Sequence, residues 1–472
     1  MRLPLLFLRA LCLAGWAGAL SLAAQSPIGS IIAGQSRTEL TVEGAGARAM
    51  GMGGAFIAVA DDATAATFNP AGLAQLLKPE FSFVGQGIQR QVSYEQFQTT
   101  TRGKQLAVSD SLYGHTHLDP LLLSAMVPIE VGGHNLALQL SAQRAYTMGE
   151  MDSRSLQETP LATGASNQPI QLNQSIHQTG QIDVYSLAMA YECSQRILLG
   201  LTYNLWRGRW DLDTGSSQNQ GGRQASLRFR QSNSLDGQNF NLGLLWRWPT
   251  WSLGLVHQTG FHATYGYSTQ IDTVLAVTGS RSSSVPGVGL HWPDSTGLGL
   301  AIRPWDQWLF TGDLQYIPWS EMKFMTSQSS LNGEGFFDPS RSTDGQNATV
   351  LRLGVERLWL TRGGMLVPFR LGFSREPQPL VDPVTGQQRI MYGLSTGSGF
   401  KRGRYTLDLA YRYAWAKRQA SQFLDLNQLL AGTQTSSVGT ERTVEQRVEM
   451  TFIVQFERQP LERLLHYLFV GD

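Results

Sequence analysis

The chain has 472 residues and only 15% are charged, against roughly 25% in an average soluble domain. Lys+Arg at 37 nearly cancels Asp+Glu at 36, while glycine (50 residues) and aromatics (10%) are abundant. This excludes a disordered chain, offers no basic stripe for nucleic acid, and, with no apolar run of about 18 residues beyond the N-terminus, excludes a helical membrane bundle.

Residues 1–24 read as a secretory signal. Arg2 and Arg9 supply positive charge, Leu11–Leu22 is apolar, and Ser21, Ala23 and Ala24 offer a small-residue cleavage site. Cys12 follows Leu11 rather than a small residue, which speaks against lipoprotein processing. The mature chain keeps one cysteine, Cys193, so it can form neither an intramolecular disulfide nor a thiolate metal cluster.

Residues 25–79 form a different unit. The stretch 44–77, GAGARAMGMGGAFIAVADDATAATFNPAGLAQLL, is rich in Ala and Gly and alternates little. Asp61 or Asp62 can cap a short helix. Asn69 before Pro70 is a second helix start, with a capping side chain and proline in the first turn. Short helices between glycines suggest a compact plug; a periplasmic tail is the plainer alternative.

From residue 80 onward the chain alternates with period two, the strand signature. In 196–207, Ile197, Leu199, Leu201, Tyr203 and Leu205 share one face. In 448–456, Val448, Met450, Phe452, Val454 and Phe456 do the same. The predicted strands run 80–98, 119–130, 135–147, 179–192, 196–211, 225–248, 250–267, 295–303, 306–325, 348–359, 364–376, 389–400, 403–418 and 441–457. Tight joints alternate with long Gly/Ser/Gln-rich ones at 99–118, 148–178, 212–224, 268–294, 326–347, 377–388 and 419–440. Of the last-mentioned, 268–294 could hold part of a strand at Val285–Trp292. A soluble sandwich would carry more charge on its wet face, and a propeller would show a repeat. Alternating short and long joints instead mark an all-β transmembrane antiparallel barrel of about fourteen strands, with both termini periplasmic. A lumen of that width needs filling, which favours the plug. Trp206, Trp210, Trp246, Trp248, Trp251, Trp308 and Trp415 sit at predicted strand ends and read as interface girdles.

After the last strand, Leu461, Leu464, Leu465, Leu468 and Phe469 fall at helical spacing, so 458–472 reads as an amphipathic periplasmic extension. The domains are therefore 1–24 signal peptide, 25–79 hatch, 80–457 barrel and 458–472 extension.

The stretch Gly44–Leu77, ending in Asn69-Pro70-Ala71-Gly72-Leu73, resembles the N-terminal hatch of the outer-membrane long-chain fatty-acid transporter family (FadL-type). Asn241–Phe261, Leu298–Met322, Arg352–Pro377 and Gly403–Tyr413 resemble that family's wall strands. The resemblance covers nearly the whole mature chain. It implies a fourteen-stranded barrel plugged by the hatch, hydrophobic ligands entering from outside, and lateral release through the wall under hatch control. Of the hatch motif, Asn69, Pro70 and Ala71 carry over by position.

Period two turns Asp313, Arg352, Glu356, Arg370, Asp408 and Arg412, with Arg447 and Glu449, toward the lumen. One reading is a mutually paired network that holds the hatch; the other is a site for a ligand headgroup. Buried charges need partners in either case. His115 and His117 have a spacing suited to a metal on one strand face, but fall in a predicted loop without a third ligand. No nucleophile elbow or phosphate loop is present. The sequence thus points to no enzyme and no cofactor. Expected partners are fatty acids or other hydrophobic ligands, outer-membrane lipids and the barrel-assembly machinery. Expected function is passive transport of long-chain fatty acids or similar lipophilic compounds. The alternative is a non-transport barrel serving as a secretion or assembly partner, and a third is a general porin.

Overall fold

The computed structural model describes residues 44–95, 100–101, 104–108, 115–148, 150–160, 170–220, 223–274, 278–325, 345–362, 365–381, 385–423 and 436–457. The expected signal segment 1–24 and extension 458–472 lie outside the described residues, as does 25–43 of the expected hatch.

Among the described residues, a short helix α1 (Ala47–Gly51) and two 3-10 turns (Ala65–Thr67 and Pro70–Gln75) are followed by twenty strands. The first half holds β1 (Glu80–Glu95), β2 (Thr100–Thr101), β3 (Lys104–Val108), β4 (His115–Val131), β5 (His134–Thr147), β6 (Glu150–Pro160), β7 (Ile170–Glu192), β8 (Ile197–Gln220), β9 (Arg223–Arg247) and β10 (Trp251–Gln258). The second holds β11 (Phe261–Val274), β12 (Thr278–Trp292), β13 (Ser295–Trp305), β14 (Trp308–Ile317), β15 (Lys323–Met325), β16 (Ala348–Leu360), β17 (Leu366–Val381), β18 (Gln388–Arg402), β19 (Tyr405–Phe423) and β20 (Ser436–Gln455).

Fourteen of these make a closed antiparallel barrel. The ring runs β1–β4–β5–β7–β8–β9–β10–β13–β14–β16–β17–β18–β19–β20, and β20 returns to β1 from Glu80↔Gln455 to Glu95↔Thr440. Each of the fourteen strands has a ladder partner on both sides over at least part of its length, which is how a membrane barrel satisfies its backbone. The outer face follows the predicted alternation. On β8, Ile197, Leu199 and Leu201 are exposed, while Leu198, Thr202 and Asn204 are buried inside. The short turns, Gly132-Gly133 among them, lie at one rim with both ends of the wall, which is the periplasmic rim.

The long joints are shorter than the sequence suggests. β8 and β9 stay paired as far as Gln220↔Arg223, and β11 pairs with β12 across most of 268–294. β6 and the start of β7 occupy much of 148–178. His115 and His117 lie in strand β4, paired with Arg90 and Ile88 of β1, rather than in a loop. Apolar alternation ends where the wall leaves the hydrocarbon, but backbone pairing does not need it to continue.

Two neighbouring strands also break together. Pairing between β10 and β13 stops at Gln258↔Ser295 and resumes in the same register at Phe261↔Trp292. Thr259-Gly260 and Pro293-Asp294 fill the gap, and Pro293 has no N–H to give a ladder.

Candidate functional site

Residues 44–76 pack against lumen-facing side chains of strands around the barrel. A buried segment with little regular structure must have its backbone groups satisfied, and here the wall does so. The carbonyl of Ala63 accepts from Ser124 (2.8 Å) and Gln139 (2.6 Å), and that of Ala58 from Ser252 (2.7 Å). Asn135 donates to the carbonyls of Ala74 and Leu76, at 2.9 and 2.8 Å. At the other end, Ala47 N–H donates to Thr451 (2.7 Å), Gly46 N–H to Glu449 (3.3 Å) and Gly53 N–H to Ser395 (2.9 Å).

Asn69 does two jobs in this arrangement. Its Oδ1 accepts from Ala71 N–H at 3.1 Å, capping the Pro70–Gln75 turn, with Pro70 at the first position. Its Nδ2 donates to the carbonyls of Ile57 (2.9 Å) and of Leu244 in β9 (3.1 Å), tying the turn to the wall. Asp62 accepts from Thr64 N–H and from the Thr64 hydroxyl, at 2.8 and 2.6 Å, ahead of the Ala65–Thr67 turn. Close approach of the segment depends on paired wall glycines: Gly200↔Gly243, Gly254↔Gly299 and Gly354↔Gly372. A Cβ on Gly372 would strike Gly53 N and Met52, and one on Gly200 would strike Ala71 N and Pro70.

The six lumen charges fall into three places. Asp313 stands apart: its Oδ2 accepts from Phe56 N–H (2.7 Å) and Ile57 N–H (2.9 Å) of the inner segment. Glu356, Arg370 and Asp408 meet in one cluster. Arg370 donates to Glu356 at 2.7 Å and also pairs with Asp408. Arg48 of α1 completes it, forking onto both Glu356 oxygens at 3.1 Å and pairing with Asp61. Higher in the lumen, Arg412 donates to Glu376 at 2.7 Å, and Arg352 lies 3.8 Å from Glu376 and donates to Gln315 at 3.0 Å. Arg90, Glu445 and Arg447 continue this charged side of the lumen, through β1 and β20.

The opposite side is aromatic. Trp206 stacks on Phe261 with ring centres 5.4 Å apart and lies 5.7 Å from Trp292. Tyr146, Trp210, Tyr265, Trp319 and Phe324 extend the same buried cluster. It gathers where β10–β11 and β12–β13 break. Trp206 and Trp210 are thus lumen residues, not girdle residues, and only 3% and 8% exposed. The sequence did carry the signal: in β8 the odd positions face lipid, so even ones face inward. Trp246, Trp248 and Trp251 do form an outer cluster at the periplasmic rim. A cavity of about 60 Å³ lies between the two sides, bordered by Ile57, Phe68, Val256, Arg352, Arg412 and Glu449. A second, of about 50 Å³, lies against Tyr146, Val184, Trp206 and Thr67.

The sequence profile of outer-membrane transport proteins of the OMPP1/FadL/TodX type matches residues 22–445. The chain belongs to this family. Its members are transport channels for hydrophobic compounds, not enzymes, and the chain is an outer-membrane protein. Similar solved structures include a Pseudomonas aeruginosa FadL homologue (14% identity, 89% of this chain and 100% of that one, TM-score 0.58). The Pseudomonas putida toluene transporter TodX is another (12% identity, 88% and 100% covered, TM-score 0.56). The monoaromatic hydrocarbon channel CymD is a third (15% identity, 88% and 99% covered, TM-score 0.54). These likenesses show the fold. No curated protein matches the sequence.

In this FadL/TodX-type barrel the wall opens a seam between β4 and β5. β4 and β5 pair only from Val131↔His134 to Leu122↔Gln143. Beyond that level β4 stays bonded to β1 and β5 to β7. Both strands are irregular there, β4 between the partners of Val84 and Gly85, β5 between Arg144 and Tyr146, and such bulges bend a strand. Among the described residues, pairing across the seam resumes only where β3 meets β6, from Val108↔Leu156 upward. Arg144 spans the lower edge of this window, 2.6 Å from Asp119 of β4 and 3.7 Å from Asp183 of β7. Arg48, Glu376, Arg144 and the aromatic cluster are the residues that sequence reasoning did not single out as site residues.

Proposed function

We infer that this FadL/TodX-type channel lets hydrophobic small molecules diffuse from outside into its lumen and leave sideways into the outer membrane, with residues 44–76 acting as the hatch. The observation that carries the reading is the aromatic lumen face beside the β4–β5 window: Tyr146 and Val184 belong to that face and flank the seam. Each buried methylene adds roughly 0.8 kcal/mol and each well-placed aromatic pair about 0.5–1.5 kcal/mol. Lateral exit spares the cargo a return to water, so no energy source is needed.

Small aromatic cargo is the first reading. The two cavities beside the aromatic side are about 60 and 50 Å³, well below the ~300–1,000 Å³ of pockets that enclose drug-sized ligands, and Phe68, Tyr146 and Trp206 border them. A third, of about 290 Å³, lies lower, among Arg48, Asp61, Glu356 and Arg370, and is lined mostly by polar and charged residues. Long-chain fatty acids are the second reading. It draws support from Arg352 and Arg412, which border the cavity of about 60 Å³ and offer guanidinium donors for a carboxylate. Uptake of labelled alkylbenzene and of labelled oleate, by cells carrying or lacking the gene, separates the two. Unchanged uptake of both, together with a stable protein partner in pull-downs, would replace transport by a secretion or assembly role.

A further inference from the structure

The periplasmic rim is not electrically even. On the arc from β13 to β20, Arg303, Arg357, Arg362, Lys401, Arg402 and Arg404 are all exposed, against the exposed acids Asp306 and Glu457. Arg303 also lies 3.6 Å from Asp61 of the inner segment. On the arc from β4 to β10 the signs are mixed, with Glu130 and Glu192 beside Arg196 and Arg247.

Two of these arginines are also held over aromatic rings, as Arg196 is over Trp248 on the mixed arc. The Arg357 guanidinium lies over Trp308, 5.1 Å from the ring centre, and that of Arg404 over Tyr405 at 4.9 Å. Arg404 also donates to the Tyr405 hydroxyl at 2.6 Å. Beside them, Trp305 (65% exposed) and Trp359 (63%) face outward at the end of the apolar belt. A guanidinium lying on a ring loses few rotamers and keeps in-plane N–H groups free to meet a phosphate. Girdle tryptophans place those groups at headgroup depth.

We propose that the β13–β20 arc of the periplasmic rim binds the phosphate headgroups of anionic phospholipids in the inner leaflet. Charge complementarity and continuity with the lipid-facing belt select a lipid as the occupant. Arg357, Arg362 and Arg404 make the contacts, and Trp305 and Trp359 flank the acyl chains. The proposal is independent of what the lumen carries.

The test uses the full chain in nanodiscs of phosphatidylethanolamine with one quarter phosphatidylglycerol, read by the lipids retained in native mass spectrometry. Wild type should retain phosphatidylglycerol well above its mole fraction, and Arg357→Gln/Arg362→Gln/Arg404→Gln should bring it back to that fraction. Each arginine is expected to contribute up to about fivefold. Arg207→Gln, at the opposite rim, should leave the enrichment intact, and a heat-modifiable band for every variant confirms a folded barrel. Equal retention by wild type and the triple variant overturns the proposal. So does loss of the enrichment on adding millimolar glycerol 1-phosphate, which would mark a site for soluble phosphate esters instead.

Discussion

Asp313→Ala removes the acceptor that holds the Phe56–Ile57 bend to β14. Two buried N–H groups, now at 2.7 and 2.9 Å from one carboxylate oxygen, would be left without a partner. Each orphaned buried donor costs about 1–3 kcal/mol, so together they lower the stability of the seated segment by about 2–6 kcal/mol. At 1.4 kcal/mol per tenfold, the seated-to-released ratio falls by a factor of about thirty to twenty thousand. Arg352 keeps Gln315 and Glu376, and the barrel ladders are untouched, so heat modifiability should not change. Planar-bilayer recordings should show larger or more frequent conductance steps than wild type. Asp313→Asn keeps a neutral acceptor in place and should fall between the two. Wild-type conductance for Asp313→Ala, with unchanged protease resistance of residues 44–76, would refute the idea that this carboxylate seats the segment.

Gly372→Val pushes a side chain into Gly53 and Met52. It should destabilise the seated segment by at least the ~1–3 kcal/mol typical of overpacking, seen as faster proteolysis ahead of residue 80. Trp206→Ala should cost about 3–5 kcal/mol in the lumen cluster, visible as a lower denaturant midpoint, and reduce alkylbenzene uptake more than oleate uptake. Arg48→Met leaves Glu356 with Arg370 alone; breaking one arm of a buried ion cluster costs about 3–5 kcal/mol, so conductance should rise while barrel yield holds. Asp119→Cys/Arg144→Cys, in a Cys193→Ser background, lets a short bis-thiosulfonate reagent close the seam. Uptake should then fall and recover on reduction; unchanged uptake would count against lateral release.

Much of the wall was legible because a lipid-facing strand must alternate. The predicted strands correspond one to one with the fourteen staves, and parity alone turned Asp313, Arg352, Glu356, Arg370, Asp408 and Arg412 inward. The same rule would have placed Trp206 and Trp210 in the lumen; assigning them to strand ends set it aside. Strand ends were misplaced at 148–178, 212–224 and 268–294, since outside the hydrocarbon both faces are polar and the pattern disappears while pairing persists. Partners across hundreds of residues, such as Arg48 with Glu356, depend on how the segment lies in the lumen, which no local pattern encodes. The β4–β5 window was equally hidden, because it arises from bulges on two strands and from the loss of one register.

The continued pairing of β8 and β9 has a further meaning for the cell surface. Tyr203 and Phe240 close the apolar belt, yet the hairpin runs on to Gln220 and Arg223. At about 3.3 Å per residue and a tilt near 40°, that lifts the hairpin tip about 40 Å above the hydrocarbon. This places the tip well outside the bilayer, amid the hydrated polar layer at the cell surface. On the transport reading proposed above, changes near its tip should alter how fast cargo is captured and leave its release untouched.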